Sequence, residues 1–204
     1  MKPLAAALVL VSLVLAGCGS QAEKPQSAAL SGIVRDPTPV VDTDTLPDVS
    51  HGGTPFQFRA GPGGLLLVYF GYTLCPDVCP TTMSDLRIAL GGLPAAQRQT
   101  VRLAMITVDP HRDTPAVLTH YVHAFFPRGL ALRTADPRLL ARVAKTFGAA
   151  YRVTKEKDGS IDVMHTAFVY AVDDTGHLRV QWSFGTRPAA YRKDIRLLLG
   201  GSQP

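Results

Sequence analysis

Two thiols four residues apart, Cys75 and Cys79, are the residues of this chain best suited to chemistry. They stand in the stretch Gly71-Tyr72-Thr73-Leu74-Cys75-Pro76-Asp77-Val78-Cys79-Pro80. At i and i+4 on a helix the two sulfurs share one face, which suits chelation of one ion or closure of a disulfide after modest rearrangement. The plainer alternative is that Cys79 extends an apolar stripe and Cys75 fills a gap beneath a sheet, since free cysteine is commonly buried. Against it, the chain has three cysteines, and the two available to a folded domain fall together at one helix start.

The elements that must position these thiols are legible on either side. Residues 65–70 are a continuous apolar run, introduced by Gly61-Pro62-Gly63-Gly64, as in a strand buried on both faces. Cys79, Met83, Leu86 and Leu90 then recur at intervals of 4, 3 and 4, the pattern of a helix that buries one stripe. The thiols therefore sit at a strand-to-helix junction. The first helical turn offers unpaired N–H groups and the positive end of the macrodipole, which favour a thiolate.

At the start of the chain, Met1-Lys2, an apolar segment over 4–15 and Leu15-Ala16-Gly17-Cys18 have the layout of an export signal. The segment is short for a bilayer span. Its last four residues resemble a bacterial lipobox, which makes 1–17 a lipoprotein signal peptide and Cys18 the lipidated first residue of the mature protein. Residues 18–31 read as a flexible tether, and 32–204 as one domain, long enough to bury a full core. The expected location is the cell envelope, anchored by lipid and facing the periplasm or extracytoplasmic space. The net charge of +5 is spread without a basic block, which argues against nucleic acid as a partner.

Further along, residues 33–34, 40–41 and 56–58 suggest one or two hairpins, and 101–108 a second buried strand. Asp113-Thr114-Pro115 and Asp136-Pro137 mark two helix starts, the second helix ending at Gly148. Residues 150–153, 162–172 and 177–184 read as strands, the last two joined in a hairpin by Asp173-Asp174-Thr175-Gly176, and Pro188 opens a final helix. This order predicts an α/β, thioredoxin-like sandwich with extra N-terminal strands and an inserted hairpin. In an open sheet of that kind, chemistry gathers beyond the carboxyl ends of the central strands, where Cys75 and Cys79 fall.

The cysteine stretch, Thr107-Val108-Asp109-Pro110-His111-Arg112-Asp113-Thr114-Pro115 and His165-Thr166 together closely resemble the SCO/SenC family of copper-binding proteins. The resemblance implies a thioredoxin-like fold, copper ligation by Cys75, Cys79 and His165, and delivery of copper to the binuclear copper site of cytochrome c oxidase. It matches Asp77 to an acidic residue between the thiols, so Asp77 is either a further ligand or a helix cap. Met164 stands where the family is often acidic, and His111 where glutamate is common.

Two thiolates and an imidazole form a soft to borderline donor set that suits Cu(I) or Cu(II). His165 lies 86 residues beyond Cys79, a separation that local pattern cannot bridge. His120 and His123 fall on the face opposite Val117, Tyr121 and Phe125 and read as solvated, while His51 and His177 read as surface residues. The leading function is a lipid-anchored metallochaperone. Its expected partners are the copper-site subunit of cytochrome c oxidase, other copper carriers or a thiol reductant, and the membrane. The alternative is a thiol-disulfide oxidoreductase that uses Cys75 and Cys79 to keep the acceptor's cysteines reduced.

Overall fold

A computed structural model describes residues 29–200. Residues 1–17, Cys18 and most of the stretch read as a tether lie outside the described residues. The chain opens with β1 (Thr45–Asp48), a 3-10 turn (Val49–His51) and β2 (Thr54–Gln57), then the central β3 (Leu65–Gly71). There follow α1 (Val78–Gly91), the short α2 (Ala95–Gln99), β4 (Val101–Thr107), α3 (Pro115–Phe125), β5 (Leu130–Leu132) and α4 (Pro137–Phe147). The last third holds β6 (Tyr151–Lys155), β7 (Ile161–His165), β8 (Val169–Val172), β9 (Leu178–Trp182) and α5 (Pro188–Gly200).

Seven strands form one sheet in the order β2-β1-β5-β4-β3-β8-β9, with β3, β4 and β5 parallel and β8 and β9 antiparallel. Every residue of β3 is buried, as its unbroken apolar sequence requires. Alternation of side chains divides the core between the two faces. Leu65, Leu67 and Tyr69 pack with Met83 and Leu86 of α1, Leu118 of α3 and Ile195 of α5. Leu66, Val68 and Phe70 pack with Leu140, Val143 and Phe147 of α4. Among the described residues, both clusters of buried core residues are drawn from residues 41–195.

The structure refines several expectations. Residues 33 and 40 form no hairpin with each other; Ile33 bridges Gln181 and Val40 bridges His177, along the edge of β9. The expected strand over 162–172 is two strands. It breaks at residues 166–168, after which β8 joins the main sheet, while β7 pairs only with β6 in a separate two-stranded ribbon. The helix starts hold, with one exchange of roles. Asp136 caps α4 by accepting from the Arg138 N–H, and Gly148 ends it in the left-handed region at φ 68°. At α3 the cap is Thr114, not Asp113. Val117, expected on the buried face of α3, is exposed, and Leu118 and Val122 are the residues that α3 buries fully.

Candidate metal centre

β3 delivers the chain to the site and α1 carries it away, as the junction predicts. Gly71, the last residue of β3, has no room for a side chain. A Cβ there would stand 2.7 Å from Cε1 of Tyr69 and 3.1 Å from both Sγ of Cys79 and Cε of Met105. The loop that follows turns tightly enough for the Cys75 N–H to donate to the Tyr72 carbonyl at 3.4 Å. Cys75 is half-buried in this loop, and Cys79 is fully buried in the first turn of α1. The Cys79 N–H donates to Sγ of Cys75 at 3.3 Å, so an otherwise unpaired N–H of the helix start is spent on the neighbouring sulfur.

His165 ends β7 and reaches the thiols from the ribbon. Its Nε2 lies 3.5 Å from Sγ of Cys79, and its Nδ1 faces the Thr166 carbonyl at 3.3 Å. A proton on Nδ1, donated to that carbonyl, leaves the Nε2 lone pair directed at the thiols. The ring stands edge-on to Tyr69 and Tyr72, with centroids 6.1 and 5.9 Å away. Ligand atoms of Cys75, Cys79 and His165 all fall within 4.8 Å of one another. A cavity of about 260 Å³ opens beside His165, lined by Tyr151, Arg152 and Met164 among others.

Burial governs the protons of this site. It pushes the Cys79 thiol up to about 12, against the opposing pull of the Tyr69 hydroxyl and of a backbone hydrogen bond from Tyr72. The thiolate expected from the helix start is therefore not the resting form of Cys79, because desolvation of a fully buried sulfur outweighs a half-charge at the helix terminus. Burial also holds the His165 imidazole below its ordinary value, partly offset by the Thr166 carbonyl. A neutral imidazole is the form that binds metal.

The second sequence motif proves to be a brace for the first. Asp113, buried, accepts from the Thr73 N–H at 3.1 Å, from Thr73 Oγ1 at 2.5 Å and from Thr107 Oγ1 at 2.5 Å. It thereby ties the cysteine loop to the end of β4, a role its sequence context disguised as a cap. Arg133 secures the same turn from β5's side through the carbonyls of Asp113 and Pro110. Arg112 pairs with Asp109, and its guanidinium lies 5.9 Å from the centre of the Tyr72 ring.

Asp77 occupies the N-cap position of α1, yet its carboxylate bonds no helix N–H; it accepts from Thr81 Oγ1 at 3.2 Å and stands outside the group of three donors. His120 is exposed, while His123 is half-buried against the Gly129 carbonyl. His51 pairs with Asp48 at 2.7 Å. Sequence reasoning missed the contributions of Tyr69, Thr73 and Asp113, whose partners lie on other elements. The local traces were Thr73 inside the cysteine stretch and Thr107 and Asp113 inside the second motif.

The sequence profile of the SCO1/SenC family matches residues 48–200, three quarters of the chain. This chain belongs to the SCO1/SenC family. Among its relatives, a Stutzerimonas stutzeri protein named for copper binding is 35% identical over 131 residues, covering 64% of each chain. The match thus spans less than two thirds of that relative's length. The solution structure of apo Sco1 from Thermus thermophilus is 32% identical, with a TM-score of 0.70 over 83% of this chain and 95% of that one. ScoI from Bradyrhizobium japonicum, solved with copper bound, is 29% identical, with a TM-score of 0.63 over 75% and 95% of the respective chains. The SCO1/SenC fold is thioredoxin-like, with a central mixed sheet and helices on both faces.

Proposed function

We propose that this SCO1/SenC chain is a copper metallochaperone that holds one ion through Sγ of Cys75, Sγ of Cys79 and Nε2 of His165. The observation that carries the reading is the convergence of these three atoms within 4.8 Å, from segments 86 residues apart. Two sulfurs and an imidazole nitrogen fit copper by softness, and the Thr166 carbonyl orients the ring for ligation. Asp77 is exposed beside this set and is available as an oxygen donor to Cu(II). Copper leaves by ligand exchange: each incoming donor of a thiol-rich acceptor displaces one of the three, and no electron moves. The acceptor is the binuclear copper site of cytochrome c oxidase, as the family resemblance implies.

The attachment is a lipid on Cys18, which places the domain on an extracytoplasmic membrane face. No helix among the described residues is long and apolar enough to cross a membrane. The deciding experiment is an anaerobic copper titration of reduced residues 29–204 beside His165→Ala and Cys75→Ala/Cys79→Ala variants. Tight one-to-one binding with thiolate-to-copper absorption is expected, altered by the first variant and lost in the second. Tight stoichiometric binding by the double variant refutes the reading.

A second function is favoured by one observation, that Cys75 is a half-buried loop residue beside the fully buried Cys79. The less buried cysteine is the one to attack an acceptor disulfide, with Cys79 resolving the mixed disulfide and two electrons passing to the acceptor. Reduction of a model disulfide with a rate lost in Cys75→Ser and indifferent to His165→Ala marks that activity.

A further inference from the structure

At the opposite end of the parallel strands from the thiols lies a larger cavity, of about 790 Å³. Four arginines line it, Arg87 from α1, Arg98 from α2, Arg102 from β4 and Arg128 from the turn after α3, around an apolar floor that includes Leu90 and Phe126. Among the described residues no aspartate or glutamate lines it and none of the four guanidinium groups is paired with a carboxylate; the nearby Asp48 is taken by His51 of the lining. Arg102 stacks over Phe56 at 5.3 Å, and Arg98 donates to the Gly91 carbonyl at 3.5 Å. Those contacts hold the groups at the rim without neutralising them. The carboxyl ends of α1 and α3 point here and contribute about half a negative charge each. Four positive charges therefore exceed that demand by about three.

The chain enters the domain beside the last residues of β9, where Ile33 bridges Gln181, and an anchor at Cys18 has to reach the arginine end from there. Lys193 of α5 donates to the Ala29 carbonyl at 2.9 Å, while its neighbours on the same turns, Arg192 and Arg196, reach the Ala89 and Gly92 carbonyls at the end of α1. From Cys18 to Ala29 is 29 − 18 = 11 residue steps, a reach of at most about 40 Å.

We infer that this basic, apolar-floored end is a docking surface for an anionic phospholipid bilayer, with Arg87, Arg98, Arg102 and Arg128 bonding headgroup phosphates. Guanidinium forks match phosphate oxygens, and a basic patch adds electrostatic attraction to anionic headgroups beyond what a lipid anchor supplies. Docked so, α1 stands away from the bilayer and presents Cys75 and Cys79 about 20 Å further out, toward an acceptor's soluble domain. The inference uses the Cys18 anchor reading for its geometry and makes no use of copper.

The test is cosedimentation of residues 29–204 with vesicles of phosphatidylcholine alone or doped with phosphatidylglycerol, in the absence of metal. Binding to the anionic vesicles is expected to exceed that to the neutral ones by at least about tenfold and to weaken with added salt. Arg98→Glu/Arg128→Glu should abolish the difference. Lys145→Glu/Lys155→Glu, with the same change in net charge on exposed residues elsewhere, should preserve it. Equal binding to both vesicles, or equal loss in the two double variants, overturns the inference and leaves the copper titration to stand or fall alone.

Discussion

All seven residues of β3 are buried, and the strand is paired on both sides, with β4 and β8. The five residues of β7 alternate between half-buried and exposed, and the strand pairs with β6 alone. Yet the thiols follow the first strand and the imidazole ends the second. One half of the site is set in a close-packed sheet; the other hangs on a ribbon tied back at its base by the Thr166 N–H to the Ala150 carbonyl. A donor on such a ribbon can withdraw at little cost to the core, which suits a site that must release its ion as well as hold it.

The comparison breaks if core and ribbon respond alike to truncation. Phe147, fully buried and edge-on to Phe58, Phe70 and Tyr170, should lose about 3–5 kcal/mol of stability as Phe147→Ala in denaturant unfolding. Next in size is Gly71→Ala, whose new Cβ meets Tyr69 and the Cys79 sulfur. We expect a loss of about 1–3 kcal/mol, accompanied by weakened copper binding because the strain falls on a donor. Unchanged binding in this variant would show the cysteine junction to be as adaptable as the ribbon.

Asp113→Asn probes the brace beneath the cysteine loop and should cost about 1–3 kcal/mol. Burial raises the Asp113 carboxyl above its ordinary value, opposed by its bonds from Thr107 and Thr73. A carboxyl raised on folding contributes stability that is complete below its unfolded value and is lost as pH rises through its folded value. Urea titrations of the two proteins across acid pH should show that component vanish in the asparagine variant.

The pH dependence of copper binding sharpens the contrast between the two halves. Cys79, near 12 without metal, must lose a proton on ligation, so apparent affinity should rise about tenfold per pH unit from neutrality toward that value for this one proton. His165, held below its ordinary value by burial, is already neutral there and adds nothing to the slope. Competition titrations with a chelator at several pH values measure it. The smallest effect is expected of Met164→Ala on the exposed ribbon, within about 0.5 kcal/mol of wild-type stability.

By itself the sequence determined what repeats or caps locally. The apolar run of β3, the stripe of α1, the helix starts at Asp113-Thr114-Pro115 and Asp136-Pro137, and the turn at residues 173–176 all follow from side-chain period, proline geometry and short-range hydrogen bonding. It also placed Cys75 and Cys79 at a strand-to-helix junction, because the apolar run of β3 ends just before them and the helical stripe begins at Cys79; with Cys75 in the loop, the i and i+4 spacing does not set their approach. Tertiary structure alone decided the rest. It split the strand at residues 166–168, turned β7 into a ribbon that points His165 at Cys79, and drew Asp113 away from the α3 cap to Thr73, 40 residues earlier in the chain. It also reversed the protonation of Cys79, since the helix terminus that favours a thiolate is local whereas the burial that opposes it is assembled from the whole core. Contacts between distant segments leave no period in the sequence, and burial is a property of the packed whole.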